Sequence, residues 1–240
     1  MAKWNRVKQS YHSRLFNVIT QEEGKANYME YNYLKKKIEE SKLSFKELNT
    51  STTGDGRMAS AESEIVVIHH LEELFKNIEG AKVSGASKAR CWYDVLIEFN
   101  GKTYPINIKI TSGVGADNVS SKMGMFYSLT GLNPENVKGL NQWESFNKKL
   151  LENFCVNDKD YYFIVYFEKE EEFLFTSLKR LDTLTPNGNN LPFQCKWINN
   201  KLPTKRSIEE QSIYILNTFI ESFAKKISGL DILLKWRNAA

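Results

Sequence analysis

The sequence predicts one α/β (α+β) domain, and three features carry that expectation. The chain has 240 residues, a length that single domains commonly reach. Near its middle a helical apolar stripe is followed at once by two β-rich runs around an Asn-Gly pair. Further β-rich runs then lead into a long amphipathic helix close to the C-terminus.

Residues 1–48 read as mainly helical. From Ala26 to Glu40, the apolar residues Tyr28, Met29, Tyr31, Leu34 and Ile38 are spaced among charges, and Leu43, Phe45 and Leu48 follow. Lys35-Lys36-Lys37 reads as a solvated face. Asn49 to Gly56 is rich in Thr, Gly and Asp and predicts a loop. Ser60 is then a candidate N-cap for a helix over 61–78. Glu62 and Glu64 lie in its first turn, and Ile65, Ile68, Leu71, Leu74, Phe75 and Ile78 form its stripe up to Gly80. The small, polar run from Val83 to Arg90 reads as a loop.

Trp92–Phe99 and Thr103–Thr111 predict two strands joined at Asn100-Gly101, because a type I′ turn needs positive φ at both central positions. Phe99 then faces Lys102, and counting back from the turn puts Asp94 opposite Asn107. Lys109, two residues on, points to the same side as Asn107. The opposite side collects Val95, Ile97, Phe99, Tyr104, Ile106, Ile108 and Ile110, which must face the core. Pro105 suits an edge strand or a bulge. On pattern alone, the polar trio reads as the solvated face of a half-buried hairpin.

Gly113 to Ser121 reads as a polar loop, with helices near 120–130 and 140–154. Tyr161–Phe167 and Glu172–Thr176 read as strands, and Phe193–Ile198 as a further short one. Ser207-Ile208-Glu209-Glu210 fits a capping box. Behind it, Ile213, Leu216, Phe219, Ile220, Phe223 and Ile227 make an amphipathic helix that ends at Gly229.

Apolar residues at 41% and charged residues at 26% suit a soluble domain with a core, aided by fourteen Phe, eleven Tyr and five Trp. No stretch is long and apolar enough for a membrane span, and a cytoplasmic protein is expected. Three scattered cysteines (Cys91, Cys155, Cys195) and three histidines argue against a disulfide framework or a zinc site. A net charge of +4 permits a nucleic-acid partner without requiring one.

Asp94, followed by Asn107-Ile108-Lys109 on the next strand, resembles the signature of the PD-(D/E)xK nuclease superfamily. There an acid on one strand precedes an acid-x-Lys on the next. The helix entry Gly56 to Ile65 and the loop Ser84-Gly85-Ala86-Ser87-Lys88 fit the same pattern. The tail from Leu191 to Trp197, its basic loop (Lys201, Lys205, Arg206) and the final helix are similar to some type II restriction endonucleases.

The resemblance implies a restriction-endonuclease-like core, a central mixed β-sheet flanked by helices, in a prokaryotic cytoplasmic enzyme. One nuclease domain would span residues 1–240: a helical preface (1–55), a catalytic core (56–180), and a DNA-recognition strand, loop and helix (181–240). It implies Mg²⁺ held by Asp94, Asn107, the Ile108 carbonyl and Glu62, with Glu64 as the alternate acid, and Lys109 acting on the attacking water and the phosphate. Asn107 departs from the pattern. Its amide implies either a site with a reduced acid count or an inactivating Asp→Asn change.

For double-stranded DNA, the expected contacts are Lys88 and Arg90 beside the site, then Ser112, Asn118, Ser120, Ser121 and Lys122 beyond the catalytic strand. Gln194, Lys196, Asn199 and Asn200 are candidates for base edges. A palindromic target implies a homodimer, through the N-terminal helices or the region 133–154, and a companion DNA methyltransferase. A junction-resolving or repair nuclease, or a DNA-binding protein with an inactive core, would share these residues.

Overall fold

The computed structural model describes residues 21–48, 56–87, 91–119, 121–188 and 191–227, and within them not the side chains of 21–28, 45 and 56–61. The predicted loop at 49–55 and the helix end at Gly229 lie outside these residues.

Helix α1 (Gln21–Glu40) and a single turn, Phe45–Leu48, precede helix α2 (Gly56–Phe75). Strands β1 (Ala81–Gly85), β2 (Val95–Phe99) and β3 (Lys102–Thr111) follow, then the short β4 (Asp117–Asn118). Helices α3 (Lys122–Thr130) and α4 (Trp143–Asn153) lead to β5 (Tyr162–Phe167) and β6 (Glu172–Ser177). Two short strands, β7 (Thr185–Pro186) and β8 (Phe193–Cys195), come before helix α5 (Ile208–Ile227).

The main sheet has five strands in the order β1-β2-β3-β5-β6, and β4-β8-β7 form a small antiparallel sheet. The main sheet is mixed, since β3 and β5 run parallel while the other neighbours are antiparallel. The α3–α4 segment is therefore the crossover that parallel pairing requires.

Both faces of the sheet are covered. On one, Val95, Ile97, Ile106, Ile108, Ile164 and Tyr166 pack with Leu34 and Ile38 of α1 and Val67, Leu71 and Phe75 of α2. On the other, Phe163, Val165 and Phe167 pack with Phe126, Phe146 and Phe219 from the three later helices. Strand β5 (YFIVYF) is accordingly an unbroken apolar run, as a strand buried on both faces should be.

The β2–β3 register is the predicted one, from Phe99↔Lys102 to Val95↔Ile106. Asn100 and Gly101 have φ of 49° and 77°, as the type I′ turn demands. Pro105 occupies a central strand, yet the ladder to β5 begins only at Ile106↔Tyr162, so β5 requires no amide from it.

Three expectations are corrected. The run 81–85 is an edge strand; with Val83 as its one β-branched residue, it carries almost no strand signal in sequence. Helix α2 is already running at Gly56, so Ser60 is not its N-cap and Glu62 and Glu64 lie beyond its first turn. On α5, Ile213, Ile220 and Ile227 are exposed, and the buried side is Gln211, Ser212, Ile215, Thr218, Phe219 and Ser222. The capping box is present: Ser207 N–H donates to Glu210 Oε2 (2.8 Å), and Glu210 N–H to Ser207 Oγ (3.2 Å). No helix of the described residues is long and apolar enough to cross a membrane.

Candidate active site

Strand β2 stops pairing at Val95↔Ile106, whereas β3 continues to Thr111. The overhanging edge of β3 would leave backbone groups bare, and Asp94 fills the gap. Its amide donates to the Ile106 carbonyl (2.9 Å), so two residues of one strand oppose one of the next, the arrangement of a β-bulge. Its carboxylate Oδ2 accepts from Ile108 N–H (2.8 Å), taking the place of the vanished ladder, and from Asn107 Nδ2 (2.6 Å). Counting from the turn sets Asp94 opposite Asn107; the bulge sets it against Ile106 instead, and the two side chains still meet through the bond from Asn107 Nδ2.

Asn107 and Lys109 lie beside Phe163 and Val165 of β5 and share their face of the sheet. That face is packed against helices, so the trio is not the solvated side of a half-buried hairpin. The environment shows in the charges. Burial pushes the Asp94 carboxyl above its usual range, against the Ile108 N–H and Lys109, which favour its ionised form. Burial also lowers the Lys109 ammonium, opposed first by Asp94 and then by Glu64 and Asp117. Among the described residues, the Lys109 ammonium forms no hydrogen bond and no ion pair. A largely buried lysine with its donors unspent is costly to keep unless something else is meant to meet them.

Lys109 opens into a cavity of about 280 Å³ lined also by Glu64, Ile108, Ile110, Asp117, Asn118 and Leu191. Asp94 and Asn107 are not part of its wall; they meet it through Ile108 and Lys109. Of the two helix acids, Glu64 rather than Glu62 lines this cavity and acts on Lys109. Asp117 is an addition the sequence did not single out. It lines the cavity, and its Oδ2 is buried without a hydrogen-bond partner. One acid in a polar loop carries no period or spacing that would mark it. A larger groove of about 870 Å³, between residues 199–206 and α5, holds Asn199 but none of the acid–lysine cluster.

Behind the trio, the Tyr161 hydroxyl donates to the Trp92 carbonyl (2.7 Å), and its ring stacks on Trp92. Gly124 of α3 lies against that ring: an added Cβ would fall 2.6 Å from it. Cys195 is buried and its thiol is pushed up to about 12 by burial, so it is no nucleophile.

The predicted DNA contacts separate into groups. Lys88, Arg90 and Ser120 lie outside the described residues. Ser112 is exposed just past β3. Asn118 and Gln194, far apart in sequence, are side by side, with Gln194 Nε2 donating to Asn118 Oδ1 (3.3 Å). Ser121 caps α3 by accepting from Gly124 N–H (3.3 Å), a structural use of its hydroxyl. Lys122 lies over the Trp143 ring (4.6 Å) and donates to the Asn141 carbonyl (3.0 Å). Lys196 and Asn199 are exposed. Asn200 is buried and spends its amide on Thr183 and Lys196, so it holds the fold and reads no base.

No group of three His, Cys, Asp or Glu side chains among the described residues could hold a metal ion. The oxygen donors present still suit a hard cation that keeps most of its waters. Both hydrogen bonds of Asp94 use Oδ2 and leave Oδ1 unspent, while Asn107 Oδ1 is buried without a partner. Ile108, whose carbonyl is a further oxygen donor, lines the cavity. Mg²⁺ fits this set, as a weaker ligand set than two carboxylates would provide. No protein-family model and no curated protein matches the chain.

Proposed function

We propose that this protein is a Mg²⁺-dependent type II restriction endonuclease that hydrolyses phosphodiester bonds within a short, specific sequence of double-stranded DNA. The observation that carries the reading is Lys109: largely buried, within electrostatic reach of Asp94, and with its ammonium unpartnered among the described residues, at the overhanging end of β3. A lysine so placed is matched to a phosphate oxygen and an attacking water. The mixed sheet flanked by helices, and the order helix acid, hairpin acid, strand lysine, support the same reading.

Asp94, Asn107 Oδ1 and the Ile108 carbonyl would hold Mg²⁺, which when bound supplies positive charge to the phosphate and a more acidic water. Asp94 must be ionised to do so, and its bond from Ile108 N–H favours that form. Lys109 donates to the attacking water and to a non-bridging phosphate oxygen; its lowered affinity for protons also suits it to proton exchange with that water. Glu64 orients the water from the helix side. A two-fold target implies a homodimer, and a resident nuclease of this kind implies a protecting DNA methyltransferase.

One observation favours a second reading, a DNA-binding protein with an inactive core: Asn107 Nδ2 donates to Asp94, where a second carboxylate would repel it and invite a cation. Incubation of the protein with phage DNA and Mg²⁺ separates the two. Discrete fragments are expected. A smear or random nicking would sink the restriction reading, and silence in the native chain with cutting by Asn107→Asp would establish the inactive core.

A further inference from the structure

Three amide side chains from different parts of the chain meet beside the Lys109 cavity. Asn118 on β4 pairs with Gln194 on β8 in the small sheet, and Asn187 follows β7. Asn118 Oδ1 accepts twice, from Asn187 Nδ2 (2.8 Å) and from Gln194 Nε2 (3.3 Å). Asn187 Nδ2 is held further by the Leu191 carbonyl (3.0 Å). Asn118 and Leu191 also line the cavity that holds Lys109.

We infer that this amide cluster is the sequence-reading element of the proposed nuclease, and that it selects adenine next to the scissile phosphate. The inference rests on the nuclease reading and deepens it. The bonds within the cluster fix which atoms remain. Among the described residues, Asn118 Nδ2 keeps its hydrogens unspent, while Gln194 Oε1 and Asn187 Oδ1 keep their acceptor capacity. Amides usually read either way because they can flip. Here a flip of Gln194 would set Oε1 against Asn118 Oδ1, two acceptors face to face, so the orientation is pinned.

The unspent pattern of this bonded pair is a donor on Asn118 and an acceptor on Gln194. In the major groove adenine presents the complement, an N7 acceptor and an N6 amino donor. Guanine offers N7 and O6, two acceptors, and its O6 would meet Gln194 Oε1 with no proton between them. Cytosine offers only its amino donor there, and thymine only its O4 acceptor, so each meets half of the pattern. The placement also matters. Asn118 lines the cavity that holds Lys109, so a correct base would be read at the rim of the site where the phosphate is positioned.

The test binds the full chain, in Ca²⁺ to hold it on uncut DNA, to a duplex pool with a randomised centre, and sequences what is retained. An A·T pair is expected in the selected sequence. Replacing its adenine by 7-deaza-adenine, which removes N7, should weaken binding roughly 5- to 150-fold. The same replacement should cost Asn118→Ala nothing further, and purine in place of adenine should cost Gln194→Ala nothing further. Both side chains lie at the surface of the small sheet, and an unchanged Tm checks that the variants fold. A selected sequence whose 7-deaza penalty survives in Asn118→Ala overturns this inference and leaves the nuclease reading standing. Failure to bind or to select any sequence overturns both.

Discussion

The molecule holds two buried carboxylate–lysine neighbourhoods on opposite terms. Asp160 is buried and accepts from Tyr161 N–H (2.8 Å), Lys179 N–H (3.2 Å) and Ser128 Oγ (3.2 Å). Lys179 Nζ is spent on the carbonyls of Lys159 (2.7 Å) and Asn157 (2.8 Å). Asp94 and Lys109 lie in a similar environment, and burial shifts all four groups in the same directions. Yet among the described residues the Lys109 ammonium has no bond, and the Asp94 carboxylate uses one oxygen only. A buried polar group that is satisfied holds the fold; one left unsatisfied costs stability, which a ligand that met it would return. On the proposed function, the difference separates a folding device from a chemical one where sequence shows only Asp and Lys.

That contrast can be broken at either end. The largest effect is expected for Lys179→Met, which strands two carbonyls and removes the charge facing Asp160. It should lower stability in urea by about 3–5 kcal/mol, while the folded fraction still cuts DNA. Asp94→Asn should do the reverse. Cleavage in Mg²⁺ should fall by on the order of 10²–10³-fold, the scale on which one electrostatic stabiliser is lost, and thermal stability should hold or rise. An unfolded Asp94→Asn protein would contradict that.

Gly124→Ala is a smaller test of the frame behind the site. A methyl group against the Tyr161 ring should cost about 1–3 kcal/mol from overpacking, offset by about 1 kcal/mol of helix propensity. The smallest effect is a pH dependence. Asp94 binds its proton more tightly folded than unfolded, so stability should decline as pH rises from 3.8 through its raised value. Asp94→Asn should abolish that component in acid-range unfolding curves. In the proposed catalysis, the lowered Lys109 should bring the alkaline limb of the rate profile below the usual lysine value.

Much of this was legible in sequence, for local reasons. Asn100-Gly101 imposes its turn and the turn imposes the register as far as Val95↔Ile106; the bulge at Asp94, which no sequence signal marks, then brings its carboxylate to Asn107. What covers the polar side was not legible, because it depends on Phe163 and Val165, which β5 brings across a parallel crossover. The edge strand at 81–85 was missed because an edge needs little apolar alternation. Glu64 displaced Glu62 because the helix begins earlier than its apparent cap, and only the fold shows which face reaches Lys109. Asn118 and Gln194 were candidates one at a time; their partnership, and Asn187 with them, exists only in the small sheet. Asn200, equally polar, proved to be a buried brace.

The most direct test of the central claim is Mg²⁺-dependent cleavage by Lys109→Met, measured beside its melting temperature. If the ammonium is kept for the phosphate, cleavage into discrete fragments is lost while the melting temperature is equal to or above that of the native chain. Cleavage that persists, or that disappears only because the protein unfolds, would contradict it.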